Sequence, residues 1–457
     1  MRQRKADLHA RVNGDLRLRF TAEGLTSFAG LELFRRFLRQ LEFSRRLLRH
    51  LHQCDPAGDF SSLALVRLVI AMLVLGARRL RHVRYLITDP VVHRFCGLKV
   101  LPSERTLSRW LSRCSAAVRT ALQTLNAEIV ADAVRPLKLR RATLDVDGTV
   151  VSTGLQVERA FRGFNPHHRK VPSYYPITAH LAQTGHLLRV KNRSGNVHDG
   201  KASLPFLRDL FTQVRQTLDI AILEIRLDGA FFRREIISWL ERRAEYAIKV
   251  PFYPWVGLKP LIQRQRHWTR VGRDLEAFET SLWLETFARA LRIAVYRKRV
   301  RHLSRKNYQL DLFDPADGHW EYSAITTNKT IGLGALWHFM AGRGAHEKIL
   351  AELKNGYAFD TIPAQTYAAN STWQILSTLA HNLVISFQLA TGAPQRRVTH
   401  KRTTLYLLKT IQTLRYELFT RAGVLQHPNG RSTLTLSTNL PTRHLFQRFV
   451  DRLARAA

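Results

Sequence analysis

The segment Arg141 to Val150, RATLDVDGTV, constrains the fold of this chain more than any other. Leu144 and Val146 point one way and Asp145 and Asp147 the other, the period-two pattern of a half-buried strand. Two carboxylates therefore share one side, and the strand ends where Asp147 meets Gly148 and Thr149. An aspartate before glycine often starts a turn, while a strand-end aspartate is also a common holder of divalent metal. A second strand of the same kind decides between the two readings.

That strand is Ala221 to Gly229, AILEIRLDG, with Leu223, Ile225 and Leu227 in phase and Asp228 at its end, again before a glycine. Arg233 to Ala244 carries Ile236, Ile237 and Leu240 at helical spacing, and Tyr246 to Val250 reads as a further strand. A third carboxylate sits on a helix, in RGAHEKILAELK from Arg343 to Lys354. At about 100° per residue, Arg343, Glu347 and Lys354 fall within about 40° of one another. Glu352 lies about 140° from Glu347 and is predicted to pair with Lys348 one turn earlier. A surface ion-pair ladder is the plain alternative for this stripe.

The spacing R-(3)-E-(6)-K after a strand-end DGT and a strand-end Asp resembles the signature of the DDE transposases of bacterial insertion sequences, Y-(2)-R-(3)-E-(6)-K in full. The texts LDVDGTVVSTG (Leu144 to Gly154) and NGYAFDTIPAQTYAANSTWQILSTLAHNL (Asn355 to Leu383) narrow the resemblance to the insertion-sequence thirteen-eighty family, over nearly the whole chain. Met340 stands where that signature has tyrosine. The resemblance implies Asp147, Asp228 and Glu347 as catalytic, metal-holding residues.

The chain has 457 residues and a formal net charge of +37, which on a loose prior of about 150 residues per domain means two or three domains. So large a positive charge attracts polyanions and supplies sequence-independent affinity for phosphate backbones. An apolar content of 45% is enough for packed cores, which excludes a disordered basic tail. Cys54, Cys96 and Cys114 are far apart and form no CxxC pair, so neither a disulfide framework nor a zinc cluster follows. Met1 to Phe20 lacks the apolar segment of a secretory signal, and the apolar run Leu63 to Ala77 is short for a membrane span. The expectation is a cytoplasmic, nucleoid-associated protein with no membrane partner.

Residues 21–137 read as mostly helical, with amphipathic stretches at Leu31 to Phe43 and Leu63 to Leu86. Gly97 leads to Pro102 and Ser103, an N-cap for a helix predicted over Glu104 to Leu125. That helix carries Arg105, Arg109 and Arg113 and resembles the second helix of a helix-turn-helix, a candidate for recognising DNA ends; plain helical packing is the alternative. Tyr174 to Ala182 and His186 to Lys191 form a hairpin through Gln183-Thr184-Gly185, and a helix follows through Leu204, Phe211 and Leu218. Together with the resemblance, this order of elements gives the fold class: an α/β, ribonuclease-H-like catalytic domain interrupted by a β-rich insertion, with helical N- and C-terminal regions.

Asp228 and Glu347 are too far apart for one connection, and His267 to Val271, Arg289 to Tyr296, Tyr308 to Phe313 and Trp320 to Thr327 read as strands, with Asp317-Gly318 as a turn. Trp255 and Trp268 in this insertion are either core residues or platforms for an unpaired base. Trp373, Leu376, Leu379, Leu383 and Phe387 mark a further helix. The basic cluster Arg396 to Arg402 is predicted to open another, through Leu405, Leu408, Ile411 and Leu414. The regions are then 1–137 (helical, DNA-binding), 138–252 and 336–392 (catalytic core), 253–335 (insertion) and 393–457 (basic C-terminal).

Three carboxylates from distant segments can hold two divalent cations about 3.5 to 4 Å apart and stabilise both oxygens of an in-line phosphoryl displacement. Oxygen-only ligation fits Mg²⁺, with Mn²⁺ as the substitute. The expected activity is hydrolysis at each transposon end, freeing a 3′-hydroxyl that attacks target DNA. Double-stranded DNA is the expected partner, with Arg343 and Lys354 gripping phosphates and a dimer in the DNA complex. A metal-dependent nuclease of the same fold and a non-catalytic DNA-binding protein derived from a transposase are the alternatives.

Overall fold

The computed structural model of the protein describes residues 4–5, 24–56, 58–163, 170–197, 200, 202–299, 320–396, 403–436 and 439–455. It is a mixed α/β structure built on one nine-stranded sheet and many helices. The strands are β1 (Arg141–Gly148), β2 (Ile177–Leu181), β3 (Leu187–Lys191), β4 (Ile222–Leu227), β5 (Glu245–Val250), β6 (Thr269–Gly272), β7 (Leu275–Leu284), β8 (Arg289–Arg299) and β9 (Trp320–Thr327). They lie in the order β3-β2-β1-β4-β5-β9-β8-β7-β6. β1, β4 and β5 are parallel, and every other pairing is antiparallel.

The first part of the sheet forms as its sequence directs. Leu144 and Val146 are buried on one face and pack with Leu223, Ile225 and Leu227 of β4 in a core shared with helix Ser203–Thr217. Gly185, at φ +80°, allows the tight turn between β2 and β3. The predicted insertion strands do not form a separate sheet. β9 pairs with β5, so β6 to β9 extend the same sheet. β7, LEAFETSLWL, is absent from the strands read from sequence because its alternation breaks: Leu275 and Ala277 are buried on one side, Phe278 and Leu284 on the other, and Trp283 is exposed. Tyr308 to Phe313 and Asp317-Gly318 lie outside the described residues.

The helices before the sheet are α1 (Leu31–Gln40), α2 (Phe43–Leu51), α3 (Ser62–Leu75), α4 (Pro90–Cys96), α5 (Glu104–Arg113) and α6 (Ala116–Val134). Two predicted helices are broken. Glu42, at φ +50°, separates α1 from α2. Cys114 is extended between α5 and α6, and the Ser115 hydroxyl accepts the Val118 amide to start α6 afresh, so Glu104 to Leu125 is not one helix. Ser103 caps α5 as expected, accepting from Thr106. Cys54, Cys96 and Cys114 are all free thiols.

Beyond β3 the helices are α7 (Ser203–Thr217), α8 (Arg234–Leu240), α9 (Leu258–Arg264), α10 (Leu333–Ala341), α11 (Gly344–Tyr357), α12 (Tyr367–Ala390), α13 (Ile411–Leu414) and α14 (Leu440–Arg455). α12 is buried on nearly every side and joins the N-terminal helices to the sheet. Its Asn382 accepts the Leu187 amide at 2.8 Å and donates to the Leu187 carbonyl at 2.6 Å, satisfying the start of β3 as another strand would. The helix predicted through Leu405 and Leu408 does not form. There the Leu405 amide donates to Gln183 at the β2–β3 turn and Leu407 donates to Pro394, so the backbone satisfies itself without a helix before Ile411. Gly423–Gln426 pairs with both Leu25–Thr26 and Thr433–Leu436, tying the C-terminal region to the N-terminal helices. No helix among the described residues is long and apolar enough to cross a membrane.

A fully buried polar ladder crosses the middle of the sheet. Arg226 on β4 donates from Nε and Nη2 to the two oxygens of Asp145 on β1, each at 2.6 Å. His180 on β2 places Nε2 3.4 Å from Asp145 and shares a hydrogen bond through Nδ1 with Nδ1 of His346 on α11. The other nitrogen of His346 meets the Thr178 hydroxyl at 3.0 Å. Burial, then the nearby Arg226, holds His180 well below its usual range, and burial, then His180, does the same for His346.

Two stability measurements follow. Removing Asp145 leaves a buried guanidinium uncompensated, and breaking such a pair costs about 3–5 kcal/mol. Asp145→Ala is expected to lose stability of that order in chemical denaturation, and a loss under about 1 kcal/mol would contradict the ladder. The second concerns acid. Burial lowers His186 to about 3 and His381 to about 4, alongside His180 and His346. The unfolded chain binds protons at these residues below about pH 6.5 while the folded chain does not, so stability is intact above that pH and falls below it. The loss is up to about 1.4 kcal/mol per pH unit for each histidine. Urea midpoints should drop between pH 7.5 and 5, and by less in His381→Gln; an unchanged midpoint in the parent protein would refute this.

Candidate active site

Parallel pairing of β1 with β4 sets Asp145 opposite Arg226, so two residues on, at the same ends of both strands, Asp147 and Asp228 emerge side by side. Each aspartate does two things at once. One oxygen closes the turn after its strand: Asp147 Oδ1 accepts the Gly148 amide at 3.0 Å, and Asp228 Oδ1 accepts the Ala230 amide at 2.9 Å. The other oxygen faces Arg343, whose Nη2 lies 2.6 Å from Asp147 Oδ2 and 3.9 Å from Asp228 Oδ2. The sum of those distances caps the separation of the two carboxylate oxygens at 6.5 Å. The turn reading of these residues therefore holds, and the same carboxylates also face a positive group.

Arg343 immediately precedes α11, and its approach is fixed by the polar ladder. Arg226 donates from Nη1 to the Phe339 carbonyl at the end of α10, at 2.8 Å. A Cβ on Gly342 would stand 2.2 Å from that same nitrogen, so only glycine lets the chain pass Arg226 and deliver Arg343. Burial pulls the Arg343 guanidinium down, and Asp147, then Asp228, Asp145 and Glu347, more than offset it, leaving the group above its ordinary value. Met340, in the position of the signature tyrosine, packs half-buried against the apolar cluster around Leu336.

Glu347 is exposed one turn into α11. Among the described residues no three His, Cys, Asp or Glu side chains gather as a metal cage, so Glu347 does not close on the aspartate pair here. Asp147 and Asp228 by themselves fit a hard cation: they are oxygen donors, partly open, and already converge on one positive group. Lys354 is turned inward, donating from Nζ to the Val150 carbonyl at 3.0 Å just past Asp147, and burial lowers its affinity for a proton. The predicted pairing of Glu352 with Lys348 is replaced by a bond from the Ile411 amide to Glu352 Oε1 at 2.7 Å, which satisfies the first turn of α13. Burial raises the Glu352 carboxyl above its usual range.

Arg105, Arg109 and Arg113 are exposed on α5, one turn apart along one face. Trp268 is packed, edge-on to Phe278 at 4.8 Å with the Arg297 guanidinium 4.4 Å from its ring centre. Trp255 is 47% exposed and stacks near Tyr253 and Phe232. Sequence reading did not place Arg226, His180, His346 or Gly342 in the site's support. Arg226 had a signal, since it is in phase with Asp228 as Asp145 is with Asp147.

A search of curated proteins finds no match. Among solved structures the chain is similar to a cryo-EM structure of the piggyBac transposase synaptic complex with hairpin DNA, at 10% identity and a TM-score of 0.46, covering 95% of this chain and 87% of that one. The family model described as Transposase DDE domain group 1 matches residues 9–269 and 312–457, and over that span, most of its length, the chain belongs to the DDE transposases.

Proposed function

We propose that the protein is the transposase of a bacterial insertion sequence, similar to the thirteen-eighty family, with a ribonuclease-H-like catalytic core. The observation that carries this reading is the convergence of Asp147 and Asp228, at the ends of adjacent parallel strands, on Arg343, one helical turn before Glu347. Residues 138–252 and 336–392 would form that core, 253–335 the insertion, 1–137 the helical DNA-binding region and 393–457 the basic C-terminal region.

Asp147, Asp228 and Glu347 would hold Mg²⁺ or Mn²⁺, and two bound ions supply charge stabilisation for the attacking and leaving oxygens of phosphoryl transfer. The chain's own part is placement. The Asp145–Arg226 pair bridges the two strands, and the turn amides hold one oxygen of each aspartate so that the other is left to face the ions. Water attacks the phosphodiester at the transposon end and releases a 3′-hydroxyl, which in turn attacks a target phosphate and displaces a target 3′-oxygen. No covalent enzyme intermediate is required. Holding two ends for joint transfer calls for a dimer on DNA.

Arginines supply the path for the duplex. Arg78, Arg79, Arg81 and Arg105 line a cleft together with Thr153 and Gly154, a few residues beyond Asp147; Glu104 and Asp360 share the lining, and Arg78 pairs with Asp360. Arg109 and Arg113 continue it along α5, and the exposed ring of Trp255 could take an unpaired base.

Asp147→Asn, Asp228→Asn and Glu347→Gln are each expected to abolish Mg²⁺-dependent cleavage of an end-containing duplex while leaving duplex binding largely intact. Glu352→Gln, which keeps an acceptor for Ile411, is expected to cleave normally; the reverse result for the two glutamates would turn α11 the other way. Affinity for DNA should fall with salt at a log–log slope of about 0.9 per neutralised phosphate. Arg79→Ala with Arg105→Ala should flatten that slope by about two contacts, and an unchanged slope would remove the cleft from the DNA path.

A further inference from the structure

Arg343 occupies an unusual place for a residue expected to face DNA. Its side chain is only 14% exposed, and Nη2 lies against the outward oxygens of both aspartates. The contact is one of charge, not of directed hydrogen bonding: Nε and Nη2 are buried and neither has a hydrogen-bond partner. The backbone that carries it is firmly held. The Gly342 amide bonds to His338, the Arg343 amide bonds to Met340, and Arg226 clamps the Phe339 carbonyl. A flexible stem on a fixed turn therefore delivers a cation into the gap between two carboxylates, with no directional bond from Nε or Nη2 to keep it there.

A guanidinium against both outward oxygens and a divalent ion held by the same oxygens cannot share that space. We propose that Arg343 is a resident cation of the active site: it neutralises Asp147 and Asp228 until divalent ions load, and loading requires it to leave. This rests on the reading of the aspartates as metal ligands. Two consequences are specific. Arg343 opposes ion binding even though it sits among the ligands. An anion that draws the guanidinium outward, such as a phosphate of bound DNA, raises ion affinity, and by reciprocity the ions raise DNA affinity. The protein would then load ions preferentially when DNA is in place.

The test is Mn²⁺ binding to the full-length protein, followed by electron paramagnetic resonance of the free ion and by thermal shift, without any cleavage assay. Arg343→Ala and Arg343→Gln are expected to bind Mn²⁺ more tightly than the parent, by roughly 5- to 150-fold, the usual range of a coupling between sites. They should melt lower without ion and gain more from it. Adding an end-containing duplex should tighten Mn²⁺ binding in the parent and do so less in either variant. Unchanged or weaker Mn²⁺ binding in both variants overturns the proposal. Asp147→Asn separates the two levels of the argument: if it weakens Mn²⁺ binding while the Arg343 variants fail to strengthen it, the metal site stands and the role of Arg343 falls. If Asp147→Asn binds Mn²⁺ as the parent does, both fall.

Discussion

The buried pair of Asp145 and Arg226 is the contact on which the rest of this active site depends. It bridges two strands distant in sequence, and the same guanidinium reaches across to the carbonyl near the end of α10. A buried ion pair is weak evidence for net stability, because desolvating two charges offsets most of their attraction. Its value here is positional. Exchanged for an apolar pair, β1 and β4 could still pack, but the bond from Arg226 to the Phe339 carbonyl, which ties the turn carrying Arg343 to the strands, would be lost. The ladder onward through His180 to His346 anchors α11 to the same strands, so the helix bearing Glu347 is referenced to Asp145 from two sides.

How much of this could be read from the residues depended on the range of the interaction. Strand periodicity is local, so β1 and β4, their terminal aspartates and the Gln183-Thr184-Gly185 turn were all legible. The helical stripe of Arg343, Glu347 and Lys354 was legible for the same reason. What that stripe faces was not, because it is set by non-local neighbours: Lys354 meets the Val150 carbonyl and Glu352 meets the Ile411 amide, each brought in by the tertiary fold. The failed helix around Leu405 makes the same point, since its hydrophobic spacing was overridden by backbone bonds to a hairpin turn more than two hundred residues away. β7 escaped because its buried residues change sides between Ala277 and Phe278 and an apolar Trp283 is exposed, which breaks the pattern that marks a strand.

The excess of basic residues, 72 against 35 acidic, is also misread if it is treated as one uniform field. A good part of it is internal structure. Arg226 is buried against Asp145, Arg415 is bonded to the carbonyls of Leu73 and Val74, and the buried Lys329 pairs with Glu224 and Glu245. These charges are spent within the fold and offer little to a polyanion. The charges left for one are those held out on the surface, and their position matters more than their number. Arg79, Arg81 and Arg105 border the cleft that opens toward Thr153 and Gly154, and burial together with the charge of Arg81, Arg79 and Arg84 pulls His82 below its usual range, a sign of a locally positive field. A duplex drawn into that field would be led along the segment that continues from Asp147. Attraction at the surface and compensation in the core thus use the same residue type, and burial decides which of the two a given arginine performs.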